Sequence, residues 1–313
     1  MTTTTPAIPA PPAPSFAGKF TKAEHVGPPK SIALYGPTDT RKSSAFGKLA
    51  ATPRFRKSLF LDADNGTEVF ANDDNTMRAV EEGRIEIFPI DTTTSSPSSI
   101  VAEVEATILE LAGCWRTPYG HIEPNPNIPD FGYDLVVLDT VNLIQSVAAK
   151  HFLATTYSDK GVLDTRGAWG EISRWSDEMI RLMHNSPRFT GGFVAHPKEV
   201  EEKTGGVKTM PALQGGFKES FATIPTIVAY LDYEKNPATN ETELVATVGE
   251  SESFASKNRY LLPSKLYNFD LLELWDIIDA KVARKPLPQT RMTLGVRPEA
   301  TAPTTTNPAA VAA

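Results

Sequence analysis

The sequence predicts an α/β fold, with a mostly parallel central sheet, helices on both faces and an antiparallel extension. Three observations carry this. Short apolar runs alternate with helix-spaced segments through the first two thirds of the chain, the pattern of strands buried on both faces and joined by crossover helices. Later strand signals lie closer together, as antiparallel neighbours do. Finally, 40% hydrophobic against 22% charged residues supply a core, and a single cysteine, Cys114, in 313 residues excludes a disulfide scaffold.

In chain order, Ser31–Tyr35 reads as a first buried strand, followed by Gly36-Pro37 and a helix from Lys42 to Ala51 that ends near Pro53. Leu59–Leu61 is a second strand, closing on Asp62, and Ile85–Ile90 a third. Ile100, Val104, Ile108 and Leu111 recur at helical spacing. Leu135–Leu138 is a fourth strand ending in Asp139, and Val141–Lys150 a helix. Ile172, Trp175, Met179 and Leu182 mark one face of a helix over Ala168–His184, and Gly192–Ala195 is a fifth strand. Further strand signals fall at Thr226–Tyr233, Glu243–Val248 and Tyr260–Leu262, before a last helix over Asp270–Val282. Pro118–Gly132 and Tyr157–Gly167 fit neither pattern and read as surface insertions.

The two ends differ from the middle. Residues 1–30 hold seven of the 26 prolines and residues 286–313 five, with much Thr and Ala, a composition too poor in apolar surface to offset ordering entropy. The expected organisation is a flexible tail over 1–30, one folded domain over 31–285 and a flexible tail over 286–313. The net charge is −7 and the tails are net positive, so the middle is acidic. That excludes a protein that coats nucleic acid by general electrostatics; any such contact is local or arises from assembly. No apolar run reaches the roughly 20 residues of a membrane helix, and the start lacks the features of a secretory signal. A reducing, cytoplasmic setting is expected.

Gly36-Pro-Thr-Asp-Thr-Arg-Lys-Ser43 matches the phosphate-binding loop, Gly, four residues, Gly, Lys, Ser or Thr, set between a strand and a helix. Gly36 permits a tight exit from the strand. The backbone N–H groups of Thr38, Asp39, Thr40, Arg41, Lys42 and Ser43 can curl around a phosphate at a helix N-terminus. Lys42 reaches the β- and γ-phosphates, and the Ser43 hydroxyl suits Mg2+. One position departs: Arg41 stands where the second Gly belongs. If that position needs positive φ, a side chain there costs roughly 1–2 kcal/mol. Either Arg41 donates to a phosphate, or the loop is remodelled, or the stretch is a Gly-Pro turn with an incidental Lys-Ser. Asp139, at the end of an apolar strand and before Thr140, fits a carboxylate that holds the Mg2+ water shell; it also fits a cap of the next helix. Phe60-Leu-Asp-Ala-Asp64 offers Asp64, and beside it Asp62, as an acid that activates water. It reads equally as a polar turn.

In order, Gly36–Ser43, Phe60–Asp64, Leu135–Asp139 and Phe193–His196 resemble the landmarks of the RecA-like recombinase core. Within that group the chain is similar to phage-encoded nucleotide-binding proteins related to single-strand annealing ATPases, over about residues 28–284. The resemblance implies a RecA-like P-loop NTPase core that binds ATP and Mg2+ through the stretch from Gly36 and Pro37 to Ser43 and Ser44. It implies that Asp64 occupies the place of a catalytic Glu, and that His196 is a polar sensor of the γ-phosphate; His196 also reads as a hydrogen-bonded residue at a strand end. It makes Pro197–Lys208, continuing to Gln214-Gly-Gly216, a DNA-contacting loop with Lys198, Lys203 and Lys208 toward single-stranded DNA. That loop is poorer in Arg than the family pattern and carries glutamates, so a surface hairpin is the other reading. Ser256-Lys-Asn-Arg259 resembles the basic segment that reaches a neighbour's nucleotide in rings and filaments, which makes Lys257 and Arg259 charge-neutralising groups supplied in trans; otherwise it is a solvated basic turn.

The resulting expectation is a phage-type ATP-binding protein that hydrolyses ATP, acting on single-stranded DNA in recombination or replication as a homo-oligomer in the host cytoplasm. The alternatives are a degenerate nucleotide-binding scaffold, which Arg41 favours, and an ATP-dependent loading or accessory protein without its own DNA site, which the acidic middle favours. Trp169 and Trp175 read as core residues and Cys114 as passive. No Cys/His spacing suggests zinc.

Overall fold

A computed structural model describes residues 29–201 and 205–295. The chain begins with strand β1 (Ser31–Tyr35), helix α1 (Lys42–Ala50), strand β2 (Ser58–Asp62), a 3-10 helix (Gly66–Asn72), helix α2 (Asp74–Glu81) and strand β3 (Ile85–Pro89). Helix α3 (Pro97–Ala112) leads to a hairpin, β4 (Cys114–Arg116) and β5 (Ile122–Pro124), and then to β6 (Leu135–Asp139). Helices α4 (Val141–Thr155) and α5 (Thr165–Asn185) precede β7 (Thr190–Ala195). A second hairpin follows, β8 (Pro197–Glu201) and β9 (Val207–Pro211), then α6 (Phe217–Thr223) and β10 (Ile227–Lys235). The last elements are β11 (Thr242–Thr247), β12 (Lys257–Asn258), β13 (Lys265–Tyr267), α7 (Leu271–Val282) and β14 (Thr293–Leu294).

Every residue of β1, β2 and β6 is buried, because helices cover both faces. The sheet order is β14-β13-β11-β10-β1-β7-β6-β2-β3. The strands from β3 across to β10 are parallel, and β11, β12, β13 and β14 extend the sheet antiparallel. Alternate side chains divide the core in two. Ala33, Leu61, Val136 and Phe193 meet α3, α4, α5 and α6 on one face. Ile32, Leu34, Phe60 and Val137 meet α1 and α7 on the other. This is the predicted α/β architecture, a mostly parallel sheet with helices on both faces and an antiparallel extension. β7 lies between β1 and β6, so a crevice opens at the carboxyl ends of the strands, where the chain leaves in both directions.

Several local expectations are corrected. Tyr260–Leu262 is a turn: Tyr260 and Leu262 are buried while Leu261 is 90% exposed at φ 52°. In–out–in burial mimics a strand, but the Asn258 side chain closes the turn by accepting from Leu262 N at 2.8 Å. The insertion at Pro118–Gly132 contains β5, and Arg116 ties its hairpin to Glu105 at 2.5 Å and Glu178 at 2.9 Å. Within Tyr157–Gly167, Tyr157 bridges Leu163, and α5 has begun by Thr165. The described fold also continues past residue 285: β14 pairs with β13, and Met292 is buried. The tail readings for residues 1–28 and 296–313 lie outside the described residues.

Candidate nucleotide site

The phosphate-loop sequence turns sharply because β10 runs alongside. A Cβ on Gly36 would lie 2.2 Å from the Leu231 carbonyl oxygen, so no side chain fits there. Thr40 then closes a turn onto the Pro37 carbonyl with its hydroxyl at 2.8 Å. Asp39 and Arg41 both adopt left-handed backbone, φ 69° and 58°. The position that lacks its Gly does need positive φ, and Arg41 takes it. Tyr233 Oη steadies the loop by donating to the Asp39 carbonyl at 3.2 Å.

Lys42 opens α1 and is buried. Its Nζ donates to the carbonyls of Gly36 at 2.9 Å and Pro37 at 2.7 Å, and to Thr40 Oγ1 at 3.3 Å. Burial pulls the ammonium pKa down, opposed by the charges of Asp139, Asp64 and Asp39. Asp139 is wholly buried, and neither carboxylate oxygen has a hydrogen-bond partner. Burial pushes its pKa to about 7; the nearby Ser43 hydroxyl pulls it down, and Asp64 and Asp62 push it further up.

Asp62 and Asp64 separate in role. The Asp62 carboxylate accepts from Gly66 N and Thr67 N, both at 3.0 Å, and from the Thr67 hydroxyl, so it is spent on holding the 3-10 helix. Asp64 instead faces His196, Nε2 to Oδ2 at 3.7 Å, and that imidazole is the main cause of its depressed pKa. The reading of Asp62–Gly66 as a polar turn therefore holds for Asp62. One cavity of about 560 Å³ collects Thr38, Asp39, Arg41, Lys42, Ser43, Ser44, Asp64, Asp139 and His196. It continues along α1 to Lys48 and on to Asp73, before α2, and to Val69 and Asn72 of the 3-10 helix, a segment that sequence reading did not recognise. Gly36 and Pro37 do not line it; their carbonyls accept from Lys42 beside it.

Gly66 was also missed. A Cβ there would lie 2.9 Å from Asp139 Oδ2 and 3.0 Å from Ser43 Oγ, so this glycine keeps open the space between the hydroxyl and the buried carboxylate. Two buried, unpartnered carboxylate oxygens beside a hydroxyl form an oxygen donor set that suits Mg2+. Among the described residues there is no cluster of three or more His, Cys, Asp and Glu that could hold a metal by itself.

Two amides on α4 also escaped notice. Asn142 accepts from His196 N at 2.6 Å and donates to the Ala212 carbonyl at 2.7 Å. Gln145 exchanges two hydrogen bonds with the backbone of Gln214. They clamp both feet of the β8–β9 hairpin; the available signal was two amides at i, i+3 on an otherwise apolar helix. Over the described residues β8 and β9 pair regularly as a hairpin, the other reading of this stretch. Its register pairs Lys198 with Met210 and Val200 with Lys208, so Lys198 and Lys208 share one face and Glu199 and Glu201 the other. Lys203 lies outside the described residues. Trp175 is core, but Trp169 is half-buried and lines an open groove with Lys198, Gln214 and Lys218, which corrects its core reading. Cys114 is half-buried, and burial raises its thiol pKa.

Lys257 and Arg259 are not in the cavity. Lys257 pairs with Val228 and Asn258 with Ile227, and Ile227 pairs with Ile32, so the basic segment sits at the amino end of β1 while the phosphate loop leaves its carboxyl end. Within one chain the two do not meet.

No described helix is long and apolar enough to cross a membrane. No curated protein matches the chain. Among solved structures, it is similar to a RadB recombinase (12% identity, 70% of this chain and 80% of that one, TM-score 0.41) and to the flagellar accessory protein FlaH from Methanocaldococcus jannaschii (11% identity, 77% and 85%, TM-score 0.37). It also matches an ATPase from the type III secretion system of pathogenic bacteria (13% identity, 64% of this chain and 51% of that one, TM-score 0.36), spanning about half of that protein. The AAA-domain family profile matches residues 28–260, so the chain belongs to the AAA-domain family.

Proposed function

We propose that this chain binds ATP with Mg2+ and hydrolyses it while acting on single-stranded DNA, as a phage-type recombination or replication protein in the host cytoplasm. The observation that carries the nucleotide reading is the one cavity into which Lys42 and Ser43 of α1, Asp139 of β6, and Asp64 and His196 from the loops after β2 and β7 converge. Lys42 exchanges its loop carbonyls for the β- and γ-phosphates. Ser43 and Asp139 hold Mg2+, which supplies charge neutralisation on the phosphate oxygens. Asp64, kept as a carboxylate by His196, orients and accepts a proton from the attacking water, and His196 reports the γ-phosphate to the hairpin through Asn142. Arg41 lines the same cavity and can donate to a phosphate. Lys48, Val69 and Asn72 are positioned for the nucleoside end.

The DNA reading is supported by the lysine face of the β8–β9 hairpin and the Trp169 groove beside it, where stacking and phosphate contacts can combine. A ring or filament is supported by the position of Lys257 and Arg259, which can serve a nucleotide only on a neighbouring copy. Titration calorimetry with ATP and Mg2+, and hydrolysis with and without single-stranded DNA, test these readings. Absence of any nucleotide affinity would favour the scaffold alternative, for which the strained Arg41 backbone is the supporting observation. Hydrolysis that ignores DNA, with no salt-dependent strand binding, would favour an accessory role.

A further inference from the structure

The two ends of the cavity beside the phosphate loop are built differently. At the loop end the polar groups are buried and kept available. Lys42 and Asp139 are both buried, and neither oxygen of Asp139 has a partner. The other end follows α1. Six residues separate Lys42 from Lys48, a rise of about 9 Å at ~1.5 Å per residue. There the wall is made by Lys48, Val69, Phe70, Asn72, Asp73 and Thr76. Lys48, Val69 and Asn72 are exposed. Phe70 is buried, and its ring is already packed on two sides. It meets Phe60 edge-on at 4.9 Å, and a Cβ on Gly47 would lie 2.6 Å from Phe70 Cε1. Thr76 gives its hydroxyl at 2.6 Å and its N–H at 3.0 Å to Asp73 Oδ2, so this pair is engaged in capping α2. Among the described residues that line this end, each is therefore either open to water or already in use.

That contrast decides what the site can tell apart. A buried donor or acceptor left unpaired by the wrong ligand gives discrimination of about 10⁴–10⁵-fold. An exposed group turns back to water instead and gives little. The exposed groups here are also indifferent to the base. An ammonium such as Lys48 donates to an acceptor, which every base carries, and an amide such as Asn72 presents both a donor and an acceptor. Val69 offers an aliphatic surface to any base face. We infer that the site takes nucleoside triphosphates as a class, recognising the triphosphate with its Mg2+ and not the base. This rests on the nucleotide reading proposed above and widens its substrate from ATP to the nucleoside triphosphates.

Calorimetry on the full chain with Mg2+ tests it, comparing ATP, GTP, CTP, UTP and inorganic tripolyphosphate. The four nucleotides should bind with Kd values within about tenfold of one another, the most that one exposed hydrogen bond contributes. Tripolyphosphate should displace bound ATP. Val69→Ala with Asn72→Ala, at two exposed positions, should weaken all four nucleotides by one common factor. Kd values spread over more than that range overturn the inference and leave nucleotide binding in place. So does a double variant that weakens one nucleotide alone, because that residue pair then reads a base. Tripolyphosphate that fails to displace ATP overturns it as well, by showing that the nucleoside is required. If none of the four nucleotides binds, the nucleotide reading itself fails, and the inference falls with it.

Discussion

Ser31 and Gly36 belong to the two ends of one short strand, and their surroundings differ in sign. At the Gly36 end the most deeply buried ionisable group is Asp139, pushed to about 7 by burial and by its acidic neighbours Asp64 and Asp62. At the Ser31 end it is His184, pushed to about 4 by burial and by cations. Desolvation drives each group toward its neutral form, and like charges nearby add to the push. The carboxyl end is shaped around a cavity, with a glycine holding space open and carboxylate oxygens left unpartnered. At the amino end the imidazole is satisfied by Ser31, and the remaining charge points outward. The same physics therefore builds an internal site at one end and an external surface at the other.

The sharpest way to break this comparison is at Lys42, the buried cation of the acidic end. Lys42→Ala should abolish detectable ATP binding by calorimetry, while far-UV circular dichroism stays unchanged. Binding that survives would move the phosphates away from this loop. Next in size, Asp64→Asn should keep ATP affinity and lower turnover by about 100-fold or more, the range for removal of a general base. Unchanged turnover would exclude Asp64, and Asp62 could not replace it, since both its oxygens serve the 3-10 helix.

The acidic end was largely legible in the sequence, and the amino end was not. Gly36, Lys42, Ser43 and Asp139 stand in a spacing that chemistry imposes on a strand–loop–helix unit, so local sequence is enough to find them. The strained φ of Arg41 followed from its being the one departure from that spacing. By contrast, the cations that act on His184, among them Lys30, Arg181 and Arg259, come from three distant segments brought together only by the order β10-β1-β7. The parallel strands were read closely, because five-residue buried runs announce themselves. Helices α2 and α6 were missed, being short and, in α2, polar over most of its length. Tyr260–Leu262 imitated a strand by alternation alone. Asn142 and Gln145 carried no pattern tied to chemistry, and their role appears only when the hairpin's feet are seen between them.

A smaller effect probes the amino end through pH. The folded state binds a proton at His184 only near pH 4, whereas an unfolded imidazole does so near 6.5. Below about 6.5 the unfolded chain thus takes up more protons, and stability falls as pH drops through this window. At about 1.4 kcal/mol per unit the loss is at most about 3 kcal/mol, and screening of the exposed cations reduces it. Urea melts at pH 4.5 and pH 7 should differ accordingly, and His184→Gln should narrow the difference. An equal difference in the variant would place the pH sensitivity elsewhere, first among the acids of the other end.

The smallest effect returns to the phosphate loop. Arg41 holds φ at 58°, a conformation that costs an ordinary L-residue roughly 1–2 kcal/mol and glycine almost nothing. Arg41→Gly relieves that cost in the folded state. It also frees the unfolded backbone, which takes back about 0.4–1 kcal/mol. The net change should be a stabilisation of no more than about 1.6 kcal/mol, read as a small rise in the urea midpoint at unchanged slope. Binding provides the second readout. If Arg41 only tolerates its position, the glycine restores the usual loop and ATP affinity stays or rises. If the guanidinium donates to a phosphate, affinity falls about tenfold or more even as the fold gains stability, since a charge-assisted hydrogen bond contributes about 1.5–3 kcal/mol. That opposite movement of stability and affinity would assign Arg41 a ligand role in place of the missing glycine, and would make the strain at this residue part of the site.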